Sequence, residues 1–345
     1  MLTLGIETSC DETSVSVTEG ARVLSNIVSS SVHLHKKYGG VVPEIASRFH
    51  VEYILEVLEK ALKNSDKELK EIKLIAVTSG PGLVGALLTG VSLAKSLSLS
   101  LKVPMIGVNH LLSHLYSTFL SDGEKPKFPF IGLVVSGGHT VLFFCRGSYK
   151  QKLLGQTQDD AAGEAFDKVA KILKLGYPGG PVIEARAKLS KNRGRVSLPK
   201  TFLGPRSLDF SFSGIKTAVL YYVKKNEKST VHSPQSMDQE LINDICYAFQ
   251  ENVLNELVEK AYLAAETHKV KAIVVGGGVA ANTRLREKFS LTAKFSKPIK
   301  VYFPERAYCM DNAAMVGVLG EELYRRGHRS DLYLSAEPNL EVCNA

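Results

Sequence analysis

Paired cysteines are missing from this sequence. Its five cysteines, Cys10, Cys145, Cys246, Cys309 and Cys343, are odd in number, lie far apart and form no CxxC pair. This argues against a disulfide framework or a zinc ribbon and fits a reducing compartment. A leader is missing too: MLTLGIETSCDET has no basic n-region and meets acids by Asp11, unlike a signal peptide. No apolar run approaches the about 20 residues that span a bilayer. Together these absences lead us to expect a soluble, cytoplasmic protein. Acidic residues are in deficit, 35 Asp and Glu against 43 Lys and Arg, for a formal net charge of +8. The excess favours a polyanionic partner such as RNA without requiring one.

What is present is a globular balance, 44% hydrophobic and 23% charged over 345 residues, long enough for two domains. Strands are expected at Leu2–Glu7, Ser14–Val17 and Arg22–Val28, and a helix from Pro43 to Asn64. A buried-type strand at Leu74–Ser79 leads through the turn Gly80-Pro-Gly-Leu-Val-Gly85 into a helix, Ala86–Leu97. Pro104–Asn109 reads as a strand running into a helix at His110. Ser121–Lys127 is polar and reads as a linker. The pattern then restarts: strand Phe130–Val135, polar turn Ser136–Thr140, strand Val141–Cys145. A glycine-rich basic region spans Lys191–Lys216. A long helix follows at Gln239–His268, then a strand at Ala272–Val275, Gly276–Gly278 and a helix. A last helix runs from about Asp311 to Arg326, with a loose tail. Two strand–turn–strand openings suggest a duplicated α/β architecture with a ligand cleft between lobes.

Four motifs carry chemistry. His110-Leu-Leu-Ser-His114 sets two imidazoles on one helix face, about 5–6 Å apart at Cβ, suited to one metal ion. Leu111 stands where an HExxH peptidase needs its Glu, so peptidase chemistry is poorly supported. The competing reading is two partly buried histidines, one capping the helix. A third ligand is needed. Asp311, at a helix start, is a candidate, and an ordinary N-cap is its other reading. Two His and one carboxylate leave positions open and suit Fe(II) or Zn(II).

The turns Thr8–Thr13 and Ser136–Thr140 offer hydroxyls and backbone N–H groups to phosphate, or are solvated hairpins. Asp11 and Glu12 could accept a proton or position a cation. Gly276-Gly-Gly-Val-Ala-Ala281 lets backbone approach a flat ligand and also matches GxGxxA. No clear βαβ unit is expected after it, and Glu305 fits the dinucleotide pattern imperfectly. Asp159 and Asp160 suit a helix dipole. Asp167, further along, is suited to ribose hydroxyls or to a solvated helix face.

Taken in order, Gly5-Ile-Glu-Thr-Ser-Cys-Asp-Glu-Thr13, Gly39-Gly-Val-Val-Pro-Glu44, Gly80-Pro-Gly-Leu-Val-Gly85, His110-x-x-x-His114, Val135-Ser-Gly-Gly-His-Thr140, Asp160-Ala-Ala-Gly-Glu-Ala-Phe-Asp167-Lys, Asp209-Phe-Ser-Phe-Ser-Gly214 and Gly276-Gly-Gly-Val-Ala-Ala-Asn282 resemble the TsaD family, over about residues 3 to 330. That family comprises the bacterial tRNA N6-adenosine threonylcarbamoyltransferases. The resemblance implies an actin-like, sugar-kinase-like (ASKHA) α/β fold with two RNase H-like lobes. We expect residues 1–125 in an N-terminal lobe, completed by a C-terminal helix within 312–345, and 126–311 in the other. It implies transfer of threonylcarbamoyl from threonylcarbamoyl-AMP to N6 of the adenosine beside the anticodon, at position 37, of tRNAs reading codons that begin with A.

By motif position, His110, His114 and Asp311 would hold one divalent metal, iron or zinc. Val134, Val135, Ser136, Gly137, Gly138, Asp167, Gly180, Glu184 and Asn282 would contact the adenine nucleotide part of the substrate. Glu184 stands where many relatives carry Asp. Asp11 or Glu12 would take the proton of the attacking amine. Lys36, Lys37 and Arg48 are candidates to face the tRNA. TsaB and the ATPase TsaE are implied as partners. The rival expectations are an actin-like ATPase or kinase and a non-catalytic nucleotide-binding scaffold.

Overall fold

The computed structural model describes the chain apart from residues 121–122, 149, 201–202, 205, 228–237, 292–297 and 343–345. The start of the expected linker, three positions of the basic region, and Cys343 therefore lie outside the described residues. In chain order the elements are β1 (Leu2–Glu7), β2 (Glu12–Glu19), β3 (Arg22–Ser30), α1 (Val32–His35), α2 (Pro43–Ser65), β4 (Leu74–Gly80), α3 (Val84–Leu101), β5 (Met105–Asn109) and α4 (His110–Tyr116). Then come β6 (Phe130–Val135), β7 (Thr140–Gly147), β8 (Lys150–Gln156), α5 (Ala162–Ile172), α6 (Gly179–Lys188), α7 (Ser213–Glu227), α8 (Gln239–Thr267), β9 (Ala272–Gly276), α9 (Thr283–Ser290), β10 (Lys300–Tyr302) and α10 (Ala313–Arg325).

They build two five-stranded sheets of one topology, ordered β3-β2-β1-β4-β5 and β10-β9-β6-β7-β8. In each, an antiparallel meander of three strands is extended by two parallel strands reached through helices. This is the two-lobed ASKHA fold.

Side-chain alternation sorts the sheets into layers. Leu4, Ile6, Val15, Val17, Ile75 and Val77 form one core with α2 and α3. Ala76, Ile106 and Val108 point the other way, into a core shared with α4, α10 and the inner face of the second sheet, Phe130, Val134, Val141 and Phe143. Ile131, Leu133 and Val135 face outward under α5 and α8. Helices α4 and α10 therefore lie between the sheets, and α10 packs on β1, β2 and β4.

The strand carboxyl ends fix where chemistry can sit, since ligands of open α/β sheets bind there. In the first sheet these ends carry Glu7, Gly80 and Asn109, with Gly80 paired to Asn109. In the second they carry Val135 and Gly276, with Val134 paired to Gly276.

Several expectations need correction. β8, α6, α7 and β10 were not foreseen; α7 starts inside the stretch taken as glycine-rich and basic. β9, α9 and β10 do form a βαβ unit with parallel strands. It extends a sheet whose other neighbour of β9 is the β6 hairpin, so the unit alone gives no dinucleotide fold. The last helix stops at Arg325, and the described part of the tail, through residue 342, is not loose. It crosses the β5 edge at Ser330 and β4 at Glu337, whose N–H donates to the Ser79 carbonyl at 2.7 Å. Helix α3 has 18 residues and a mean hydropathy of 1.5, long and apolar enough to cross a membrane by composition. Here Ala86, Leu87, Gly90, Val91 and Ala94 bury its inner side against β4 and α2.

Candidate active site

β5 ends by capping the next helix. The Asn109 side chain accepts from the N–H groups of Leu111 and Leu112 at 2.9 and 3.2 Å. This frees His110 from the capping role and starts α4 at the carboxyl edge of the sheet. His110 and His114, one turn apart and buried, bring their rings to 4.7 Å between centroids. Asp311 does not cap either. Asn312 is the cap of α10, accepting from Met315 N–H at 3.1 Å, so the Asp311 carboxylate turns to the histidines. Its Oδ1 lies 3.1 Å from His114 Nε2 and 3.7 Å from His110 Nε2.

One ligand atom from each of the three residues falls within 4.8 Å of the others. Among the described residues Nδ1 of the buried His114 ring lacks a hydrogen-bond partner, and Nε2 has the Asp311 contact alone. An unsatisfied buried imidazole is costly. His110 Nε2, His114 Nε2 and Asp311 Oδ1 face one another, so the donor set fits a divalent ion with open coordination positions.

Glu7, which sequence reasoning missed, stands behind the triad. It is fully buried at the end of β1 and its Oε2 lies 3.1 Å from His110 Nδ1. Its oxygens also accept from Ser9 N–H at 2.6 Å and the Thr78 hydroxyl at 2.6 Å. Burial opposes the charge on His110, but Glu7 and Asp311 overcome this and push the imidazole up to about 9. Burial likewise acts to raise both carboxyls, and the neighbouring imidazoles hold them below the usual carboxylate range. A carboxylate on the far nitrogen of a ligating histidine is the usual orienting arrangement. The available signal was a lone acid ending an apolar strand.

Asp11 and Glu12 lie on the turn that closes β1 and β2, both buried. Ser30 Oγ donates to Glu12 at 3.2 Å. Burial, then the charges of Asp11 and Asp311, keep the Glu12 carboxyl well above its ordinary value. The matching turn of the second sheet, Ser136–His139, leaves Gly137 and Gly138 open to the cleft. It rests on the start of α5, where Gly163 N–H donates to the Ser136 carbonyl at 3.2 Å. At Gly277, φ is 94° and a Cβ would stand 2.3 Å from the Val135 carbonyl, so only glycine fits. Val134 and Val135 are buried strand residues supporting this floor. His139, also unforeseen, faces the triad: burial and the charges of His110 and His114 hold its imidazole down to about 4.

The remaining candidates cluster around α5, α6 and α9. Asp167 accepts from Gly179 N–H at 2.7 Å, beside the open Gly180, and burial, outweighing that bond, raises its carboxyl to about 6. Glu184 accepts from Lys188 at 2.8 Å and from Thr283 N–H at 3.2 Å, which sets it next to Asn282. Asn282 caps α9 through Leu285 N–H at 2.9 Å and donates to Gln250 at 3.1 Å. Asp159 and Asp160, just before α5, also tie it to α7. Asp159 accepts from Phe212 N–H at 2.7 Å, and Asp160 pairs with Lys216 at 2.6 Å and Lys168 at 2.5 Å.

Comparison with known proteins identifies the fold and the family. The two-lobed fold is shared with full-length HypF, at a TM-score of 0.58 and 14% identity over 93% of this chain. The chain spans 46% of that longer protein. It is also shared with an activator of 2-hydroxyisocaproyl-CoA dehydratase from Clostridium difficile, at a TM-score of 0.52 and 14% identity, over 96% of this chain and all (100%) of that one. Much nearer are a tRNA N6-adenosine threonylcarbamoyltransferase of Dictyoglomus turgidum, 51% identical over 99% of this chain and 98% of that protein, and one of Thermodesulfovibrio yellowstonii, 48% identical over 99% and 100%. The sequence profile of TsaD, tRNA N6-adenosine threonylcarbamoyltransferase, matches residues 22–318. The chain belongs to the TsaD family and is a transferase of tRNA threonylcarbamoyladenosine modification.

Proposed function

We propose that this chain transfers threonylcarbamoyl from threonylcarbamoyl-AMP to N6 of adenosine 37 in tRNAs that read codons beginning with A, releasing AMP. The observation that carries the reading is the His110–His114–Asp311 cluster, with both Nε2 atoms turned to the carboxylate, at strand ends facing an open glycine floor. The triad holds one divalent ion, Fe(II) or Zn(II). When bound, that ion supplies Lewis-acid polarisation and a template for the threonylcarbamoyl group.

The chain's own residues do the rest. The backbone of Ser136–Gly138 and Gly276–Gly278 cradles the AMP phosphate, and Asp167, Gly180, Glu184 and Asn282 border the nucleoside. Glu184 and Asn282 already serve neighbouring backbone and Gln250, so they shape the pocket more than they reach into it. The adenine amine is a weak nucleophile and the mixed anhydride a good electrophile, so positioning supplies much of the rate. Asp11 or Glu12 receives the amine proton as the N6–carbonyl bond forms and the bond to AMP breaks.

The lobes divide at 125/126, with α10 returning to the first lobe. Val51 and Leu55 on α2 and Val84 and Leu88 on α3 form an exposed apolar face, with Ser47 and Gly85 in contact between the helices. This face suits TsaB, and TsaE joins that assembly in the cytoplasm. The test supplies purified protein with these partners, threonylcarbamoyl-AMP, metal and unmodified tRNA. Formation of threonylcarbamoyladenosine at position 37 is expected, and its absence under metal-replete conditions refutes the reading.

A further inference from the structure

Two buried histidines outside the metal triad, His35 and His50, converge on the acidic turn. His50, on α2, has Nε2 3.0 Å from the Cys10 carbonyl and Nδ1 2.7 Å from Thr13 Oγ1. A carbonyl only accepts, so Nε2 carries the proton and Nδ1 accepts from the Thr13 hydroxyl. His35, ending α1, accepts at Nδ1 from Val42 N–H at 3.3 Å. Its Nε2 therefore donates to Ser31 Oγ at 3.0 Å, and Ser31 Oγ donates onward to the Asp11 carbonyl at 2.9 Å. Ser31 N–H donates to the same carbonyl at 3.0 Å.

The Cys10 carbonyl belongs to the peptide before Asp11, and the Asp11 carbonyl to the peptide after it. Peptide units are planar. Fixing both planes fixes the direction in which the Asp11 side chain leaves the backbone, and where Glu12 begins. Both imidazoles are neutral in these roles, and burial, their largest influence, favours that form. His35 has a second reach. By accepting from Val42 it closes the loop 36–42. There Gly39, at φ 71°, lies across from Lys171 of α5, whose Nζ would be 3.5 Å from a Cβ at that position. The loop bridges the cleft, and its base is tied to the acidic turn.

We propose that His35 and His50 are positioning residues for the transfer, two neutral buried imidazoles that set the Asp11–Glu12 turn and couple it to the cleft-bridging loop. This rests on the reading that Asp11 and Glu12 handle the proton. The test uses the full-length chain in the reconstituted reaction, comparing His50→Leu with His50→Gln, and His35→Leu with His35→Gln, beside Asp11→Asn and Glu12→Gln. Gln keeps a donor for Cys10 or Ser31, whereas Leu fills the space without one.

The Leu variants should lower kcat at least tenfold and change KM for threonylcarbamoyl-AMP less than twofold. The Gln variants should recover to within about threefold of the parent. Metal content at the separate triad reports that each variant is folded. Should a Leu variant not fold, Asn at the same position, too short to reach the acceptor, carries the same expectation. Leu or Asn variants with parental kcat, or with KM raised and kcat unchanged, overturn the proposal while slow Asp11→Asn and Glu12→Gln leave the proton reading standing. Parental rates in both acid variants overturn the underlying reading and the proposal with it.

Discussion

At the scale of single residues, Glu7 decides how well the triad can hold an ion. Its carboxylate fixes His110 Nδ1 and so aims Nε2 at the cluster. Glu7→Gln keeps the shape and removes the charge, so metal affinity should fall roughly 10–100-fold, read by competition with a chelator. Unchanged affinity would mean that α4 and Ser9 Oγ, 3.1 Å from the same nitrogen, suffice to orient His110. The same pairing governs proton traffic. With its imidazole near 9, His110 is protonated at neutral pH in the metal-free protein, and binding must expel that proton. Metal affinity should rise with pH up to about 9, and calorimetry in buffers of different ionisation enthalpy should show proton release near pH 7.5. The sign for stability is opposite. A histidine raised above its unfolded value stabilises the metal-free fold at low pH, and this contribution is lost as pH climbs through about 9.

The His110–His114 pair was legible from spacing alone, because one helical turn sets the geometry. Glu7 and His139 were not, because only sheet pairing and the fold bring them to α4. Nor could sequence tell whether Asp311 or Asn312 caps α10, since both are good caps and the choice depends on which side chain faces the histidines.

Among elements, the strap after α10 is the part that composition misjudged. Residues 326–342 are short on regular structure, which made them read as a loose tail, yet their backbone groups are spent on β4 and β5. Gly82 N–H donates to Pro338 at 3.1 Å, Gly107 N–H to Ser330 Oγ at 3.0 Å, and Asn109 Nδ2 to Leu340 at 3.4 Å. The last bond touches the cap of the helix that carries His110 and His114. Gly80 is the position where the strap lies tightest, since a Cβ there would stand 2.0 Å from the Glu337 carbonyl and 2.8 Å from Leu340 Cβ. Gly80→Ala should therefore lift the strap and cost roughly 1–3 kcal/mol in denaturant unfolding. A chain ending at Arg329 should be destabilised too, and in it Gly80→Ala should cost nearly nothing more. If the penalty persists in the truncated chain, the strap is not what the new methyl meets.

The whole molecule is two copies of one sheet, each presenting a turn at its strand ends, with α4 and α10 between them. That duplication was legible because both meanders begin with the same strand–turn–strand pattern. Among the helices that separate the second turn from the next parallel strand, α5 was legible from its leading acids, whereas α7 was harder, because it is held by long-range contacts to Asp159 and Asp160 that no local pattern announces. Charge adds a property belonging to the assembled surface. Lys36 and Lys37 are exposed on the cleft-bridging loop and Lys171 stands exposed across from it, so cations from both lobes flank one mouth of the cleft, while the exposed Arg48 lies with Ser47, Val51 and Gly85 on the outer side of α2. A tRNA bound at that mouth displaces counterions in proportion to the phosphates neutralised. Affinity should fall steeply with salt, and each of Lys36→Ala, Lys37→Ala and Lys171→Ala should make the log–log slope shallower by roughly 0.7–1. The measurement is filter binding of unmodified tRNA across a salt series. An unchanged slope in all three variants would place the RNA backbone on another face, while a change confined to Lys36 and Lys37 would place it on the first lobe alone.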